Sequence, residues 1–244
     1  MIRVGHKGAD SIVPGNTLES FGKAVEVGVD VIELDVLWTL DGHPRIDAAE
    51  RTPLIVAHDW HDAERREPLT LTQALDAFTR PPLDKVEIDL DIKLPGREEE
   101  IVAAVRESGL LNRAMVSTME LSTLARIDRL EPGLRRGWTY PRVTKDWTSK
   151  RWAKAPMLAA MVWMRKRLPG LAARELPKMG VEAMWVYHPL VSRQLAKITD
   201  LARVELIAWT VDDLPRMQKL VAAGVNGICS NDPRLFDELS EIAS

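Results

Sequence analysis

The sequence holds one cysteine, Cys229, with only three phenylalanines and two tyrosines among 244 residues. A single thiol excludes an intrachain disulfide and fits a reducing compartment. No apolar run approaches the roughly 18 residues of a membrane-spanning helix; the longest near the middle, 155–164, is far shorter. The N-terminus shows no basic leader, apolar core and small-residue cleavage site, so no signal peptide is expected. The chain is therefore placed in the cytoplasm, with any membrane contact peripheral and at the inner face. Neither sign of charge dominates: 33 Lys and Arg stand against 36 Asp and Glu, a net charge of −3. Nothing in that balance drives the whole chain toward nucleic acid, and no nucleic-acid partner is expected. With 45% hydrophobic and 28% charged residues, disorder and a coiled coil are excluded as well.

What is present is alternation. Short apolar runs at 2–4, 29–36, 86–92, 114–118, 183–187, 205–211 and 227–230 read as strands. Between them lie amphipathic stretches at 17–27, 71–78, 97–107, 121–130, 192–201 and 214–223, with a last one from Pro233. Thr70 is placed to cap the second of these, and Gly109 and Pro132-Gly133 to end the third and fourth. Strand then helix, repeated about eight times in roughly 250 residues, predicts an α/β fold, a single (β/α)₈ TIM barrel spanning 1–244 as one domain. An open doubly wound sheet is the alternative. One extra strand candidate, 54–57, follows 29–36 with no helix between them. A parallel neighbour needs a crossover of a dozen or more residues, so 37–69 reads as one long loop after strand two, and a loop of that length is usually functional.

Barrel active sites gather at the C-terminal ends of the strands, and there the polar residues collect. His6 and Lys7 end strand one. Glu33 and Asp35 end strand two, His58 and Asp59 lie in the long loop, and Asp89, Asp91 and Lys93 end strand three. Residues two apart on a strand share a face, so the carboxylates of Glu33 and Asp35 point the same way. Side by side they resist double ionisation unless a cation lies between them. The Asp89-Leu90-Asp91 pattern repeats this on the next strand. Three carboxylates with water suit one hard divalent ion, Mg²⁺ or Ca²⁺, better than zinc. His6 and His58 at the same rim form a candidate acid/base pair. Metal, lysines and histidines together describe a site for a phosphate ester. Cys229 reads as a small buried residue; His43 and His61 fall outside the pattern, and His188 sits at a strand end near the rim.

His6-Lys7-Gly8, the run Pro14-Gly15-Asn16-Thr17, Glu33-Leu34-Asp35-Val36, then Thr39, Asp41-Gly42, His58-Asp59, Asp91-Ile92-Lys93, Trp209-Thr210-Val211 and Ser230-Asn231-Asp232-Pro233 follow one another in a specific order. In that order the chain resembles the glycerophosphodiester phosphodiesterase family, a phosphodiesterase barrel of the phospholipase C type, over nearly its whole length. The resemblance implies metal-dependent hydrolysis of a small glycerophosphodiester to glycerol phosphate and an alcohol. It implies Glu33, Asp35 and Asp91 as metal ligands, His6 and His58 as the acid/base pair, and Lys7, Lys93 and Trp209 as substrate contacts. It further implies a route in which a neighbouring substrate hydroxyl attacks phosphorus and water opens the cyclic product. Three positions depart from the pattern. Lys7 replaces an arginine, turning a guanidinium fork into a point charge. Gly15 replaces the glutamate of Pro-Glu-Asn-Thr. Asp91 stands where many members carry glutamate; in this it resembles the related spider phospholipase D toxins, which share the Glu-x-Asp and Asp-x-Lys pattern but have disulfides and secretion that are not expected here.

Residues 134–169 fit no plain barrel unit and read as a basic, Trp/Met-rich insertion near 138–169. From Arg135 to Arg167 there are ten basic residues and one acid, Asp146, with Trp138, Trp147, Trp152 and Trp163 holding half the tryptophans. That composition suits an anionic interface or, through Met157, Met161 and Met164, a lip for an acyl chain. Peripheral membrane contact through this segment is the partner it suggests; no protein partner is implied. The alternatives are a lysophospholipase D acting on lysophospholipids at a membrane surface, a phosphodiester-binding protein without turnover and, more remote, a sugar-phosphate isomerase.

Overall fold

The computed structural model describes residues 1–38, 52–142 and 154–243, without the side chains of 154–156 and 241–243. Eight parallel strands close on themselves: β1 (Ile2–His6), β2 (Val31–Leu37), β4 (Glu87–Ile92), β5 (Ala114–Thr118), β6 (Arg135–Tyr140), β7 (Ala183–Tyr187), β8 (Glu205–Trp209) and β9 (Gly227–Ser230), with β9 paired back to β1. The extra strand, β3 (Ile55–Val56), pairs antiparallel with the end of β2 and stays outside the ring. The (β/α)₈ barrel is thus as expected, and 54–57 belongs to the long excursion after β2. That excursion also holds a short helix in place of the expected loop, α2 (Trp60–Arg65), capped by Asp59 accepting from the Asp62 N–H at 2.8 Å.

Helices α1 (Leu18–Val27), α3 (Leu71–Ala77), α4 (Glu98–Glu107), α5 (Leu121–Leu130), α6 (Lys154–Met179), α7 (Arg193–Leu201), α8 (Leu214–Val221) and α9 (Leu235–Ala243) surround the ring. Thr17 caps α1 through the Ser20 N–H, and Gly28 ends it at φ 87°, a conformation that costs glycine little. Thr70 and Gln73 form a capping box on α3. Alternation along the strands sorts the side chains. Leu34, Leu90 and Val116 face the helices and are fully buried. Their neighbours Glu33, Asp35, Asp89, Asp91 and Ser117 face the barrel axis.

The basic Trp/Met segment resolves differently from its reading as an insertion. Its start is the fifth strand of the barrel, β6, and its end is the first half of α6; 143–153, with Trp147 and Trp152, lie outside the described residues. Two adjacent arginines and a glycine disguise β6 as polar chain. Arg136 is buried, its guanidinium 2.8 Å from Asp128 and bonded to the Gly180 carbonyl at 2.6 Å. Gly137 is small because a Cβ there would lie 2.6 Å from Trp185 Nε1, and Trp185 fills the barrel centre.

Candidate active site

Register places the acids. His6 pairs with Glu33 across β1 and β2, and Glu33 and Asp35 pair with Asp89 and Asp91 across β2 and β4. One ligand atom each from Glu33, Asp35 and Asp91 lies within 4.8 Å of the others. Asp89, level with Glu33 and two residues before Asp91 on β4, is fully buried and accepts from Ser117 Oγ at 2.6 Å. Burial raises its pKa well above the usual carboxylate value, the Ser117 hydrogen bond opposing, which favours its protonated form.

Asp35 organises the site. Its Oδ2 accepts from Asn16 Nδ2 at 2.8 Å and meets His58 Nδ1 at 3.3 Å, while its Oδ1 faces the Lys93 ammonium. Lys93 bridges Asp35 and Asp91. Burial disfavours the charged form of Asp35, but Lys93 and His58 outweigh it and hold the pKa well below the usual range. Glu33 goes the other way, raised by burial and by the Asp35 charge. The pair therefore keeps one proton unless a further cation replaces it. Three converging carboxylates, one of them reluctant to ionise alone, fit a hard divalent ion.

The two histidines are held differently. His6 Nδ1 lies 2.6 Å from Asn231 Oδ1. Asn231 donates its own Nδ2 to Asp212 at 2.7 Å, which fixes its oxygen toward His6 and the His6 proton on Nδ1. His6 Nε2 then carries the lone pair, 3.9 Å from Glu33 Oε2. Burial lowers the His6 pKa, with Asp35 opposing part of the effect. The hydrogen bond to Asp35 raises that of His58, burial opposing. His58 is held from the loop: its N–H donates to Asp62 Oδ2 at 3.1 Å, and Arg66 ties Asp62 to the carbonyls of Asn16 and Val56.

Of the residues expected at the site, His6, Glu33, His58, Asp91, Lys93 and Trp209 line one cavity of about 180 Å³, together with Asp89, Ser117, Met119, Thr139, Trp185, Thr210 and Cys229. Asp35 joins them from behind through Lys93 and His58. Lys7 does not line the cavity. Its backbone N–H donates to Glu33 Oε2 at 2.9 Å, and its ammonium is 2.6 Å from Asp10 Oδ2. Cys229 is a buried thiol, its pKa raised by burial. His61 is exposed, and Thr39, Asp41, Gly42 and His43 lie outside the described residues. A larger cavity, about 630 Å³, opens at the opposite end of the barrel among Ile2, Val31, Glu87, Arg135 and Glu205, away from the catalytic rim of such folds.

Asn16, Asn231, Asp212 and Arg66 received no role from the sequence. Asn16 and Asn231 stand in quoted motifs, and Asn16 at φ 58° is the residue type that best tolerates that backbone after glycine. Nothing local marks Asp212 or Arg66, because their partners are distant in sequence.

Gly15 belongs to the same web. Its N–H donates to Asp10 Oδ1 at 2.7 Å, and a Cβ would lie 2.5 Å from that oxygen and 2.7 Å from Lys7 Cβ. Lysine at 7 and glycine at 15 are thus one coupled departure, built around Asp10. Restoring the glutamate, Gly15→Glu, is expected to destabilise the fold by about 1–3 kcal/mol by overpacking. Thermal denaturation checks this, and adding Asp10→Ala should recover part of the loss.

The family model described as the glycerophosphoryl diester phosphodiesterase family matches residues 6–46 and 60–235. A glycerophosphodiester phosphodiesterase of Caldanaerobacter subterraneus is 25% identical over 272 residues, covering 97% of this chain and 96% of that protein. Among solved structures, a glycerophosphodiester phosphodiesterase from Parabacteroides distasonis superposes with a TM-score of 0.74 at 17% identity, covering 100% of this chain and 98% of that one. An Oleispira antarctica phosphodiesterase in complex with the product sn-glycerol-3-phosphate gives a TM-score of 0.68 at 17% identity, covering 99% and 97%.

Proposed function

This chain belongs to the glycerophosphoryl diester phosphodiesterase family, and from that premise we propose that it hydrolyses small glycerophosphodiesters with one divalent ion, His6 as base and His58 as acid. The observation that carries the assignment is the unlike holding of the two rings. His6 presents the Nε2 lone pair to the cavity with its proton fixed toward Asn231. It takes the proton of the attacking hydroxyl. His58, whose proton Asp35 holds, gives one to the departing alcohol oxygen, so the proton count closes over the step.

Glu33, Asp35 and Asp91 would hold the ion, Mg²⁺ or Ca²⁺; when bound it withdraws charge from the phosphoryl oxygens. Lys93 adds a positive charge at the same place and contacts the phosphate. Lys7 adds its charge from the rim, shared with Asp10. Trp209 at the end of β8 forms an apolar wall against the ester's carbon skeleton, its ring 5.5 Å from that of Tyr187. The cavity volume, about 180 Å³, suits a compact polar diester, being below the range of drug-sized pockets.

The test is release of glycerol phosphate from glycerophosphocholine with Mg²⁺, with Ca²⁺ and with chelator, and His6→Ala as the blank. Release should fall to the blank with chelator and return on adding metal. Undiminished release in chelator would remove the metal from the proposal, and no release under any condition would favour a binding protein. The exposed apolar residues of α6 favour one variant, the same reaction on a lysophospholipid. Faster head-group release from lysophosphatidylcholine than from glycerophosphocholine would establish it.

A further inference from the structure

Helix α6 changes character along its length. Its inner face packs on the barrel, Met161 and Met164 partly buried against the core and Leu168, Ala172 and Leu176 fully so. In its first half, Leu158, Val162 and Trp163 are 59%, 49% and 56% exposed. At 100° per residue these three form one strip, with Arg165 on one edge, Arg167 on the other and Lys166 within it. The Arg167 guanidinium lies 4.8 Å from the Trp163 ring centroid. An apolar strip edged by basic side chains is how an interfacial helix is built, and the long lysine can keep its charge in the head-group layer while its stem lies with the apolar residues.

A groove of about 400 Å³ runs beside the strip, between Leu158, Met161, Val162 and Arg165 on one side and His188, Pro189 and Arg216 on the other. Arg165 donates to the Pro189 carbonyl at 3.1 Å, and Arg216 donates Nε to His188 Nδ1 at 2.9 Å. Neither guanidinium is in an ion pair with a carboxylate among the described residues; Asp213 is the acidic neighbour of Arg216, and Arg165 opposes it. Held by neutral partners beside an apolar wall, the two guanidiniums have their charge to offer to an anion.

We propose that the first half of α6, with Arg216 and the turn His188–Leu190, is a docking surface for a bilayer containing anionic phospholipid. Charge selects this occupant. A second copy of the chain seated symmetrically on the strip would set Arg165, Lys166 and Arg167 against themselves. A nucleic acid would leave Leu158 and Val162 in water. The placement agrees with the charge. The strand β6 runs toward the catalytic rim, so α6, returning from it, starts there. His188 follows Tyr187, whose ring packs on Trp209 of the cavity. Docking through this face brings the cavity mouth to the lipid–water boundary.

Vesicle flotation tests this with the full chain. Vesicles of phosphatidylcholine mixed with phosphatidylglycerol should capture at least about 10-fold more protein than phosphatidylcholine alone, and capture should fall as salt is raised. Arg165→Glu with Arg216→Glu should lower capture by about 10-fold or more, as should Lys166→Glu with Arg167→Glu, whose side chains are exposed. Leu158→Ser with Val162→Ser should do the same through the apolar term. Hydrolysis of glycerophosphocholine in solution should stay within about twofold in all three. Capture equal to wild type in these variants overturns the proposal, as does absence of capture by anionic vesicles at low salt. Dimerisation abolished by the Leu158/Val162 variant would also overturn it, assigning the strip to a second copy. Capture is read without turnover, so an inactive wild type would count against the phosphodiesterase reading alone.

Discussion

Replacing His6 with glutamine is expected to lower kcat by about 10²- to 10⁴-fold, the usual worth of a positioned proton-transfer group. Glutamine keeps a polar side chain of similar reach but has no lone pair at the Nε2 position that can take a proton at neutral pH. The pH profile separates chemistry from packing. Burial lowers the His6 pKa, so the ring is neutral and basic at neutral pH, and loses that capacity only once pH falls below the ordinary histidine range. The wild-type rate should therefore decline on the acid side below pH 6.5, the unperturbed value for histidine. That acid limb should be absent from the residual activity of His6→Gln. Far-ultraviolet circular dichroism and the denaturation midpoint should match wild type closely. An acid limb that persists unchanged in His6→Gln would transfer the base role elsewhere.

The second large effect is expected at Asp35. Asp35→Asn keeps the volume and removes the one charge that Asn16, His58 and Lys93 all address. Ion affinity should fall by at least about 100-fold, the upper end of what loss of a mere supporting partner costs. Turnover should fall by on the order of 10³-fold, equivalent to several kcal/mol of charge stabilisation. Calorimetric titration with Mg²⁺ and Ca²⁺ reads the first, product release the second. Asp89→Asn is the matched control. Asp89 lies in the same strand pair but outside the three converging donors, and burial favours its protonated form, so its amide should leave ion affinity within about threefold. Equal losses in the two variants would mean that the cluster is not the metal site as drawn, because only Asp35 belongs to the three converging donors.

The Gly15 departure shows how a motif can change without breaking the site. With lysine at 7, the ammonium reaches Asp10, and the Asp10 carboxylate takes up the Gly15 N–H and the space a side chain would need. A single substitution toward the family pattern at either position meets this pairing first. Comparing Lys7 and Gly15 separately with relatives would score two losses where the structure holds one exchange.

Much of this protein was legible before its structure. Strand and helix alternation follows from apolar spacing, which is local, and it determined the barrel. The period-two placement of Glu33 with Asp35 and of Asp89 with Asp91 fixed their common face, since side-chain direction on a strand depends only on parity. Parity could not say that Asp89 stays out of the three converging donors and that burial favours its protonated form; packing around β4 and β5 decides that. The strand Arg135–Tyr140 stayed hidden because its two charges are paired by Glu87 and Asp128, partners that lie outside the strand. The sequence named two histidines; only the tertiary structure holds the two rings differently. Asn231, 225 residues from His6 in sequence, fixes one ring's proton, and Asp35 holds the proton of the other. Composition and spacing determine which elements form and which side chains share a face, because both are properties of neighbouring residues. Proton position, charge state and the partners of Lys7, Asp10 and Asp212 depend on what the closed barrel brings within hydrogen-bond distance, and that is decided in three dimensions.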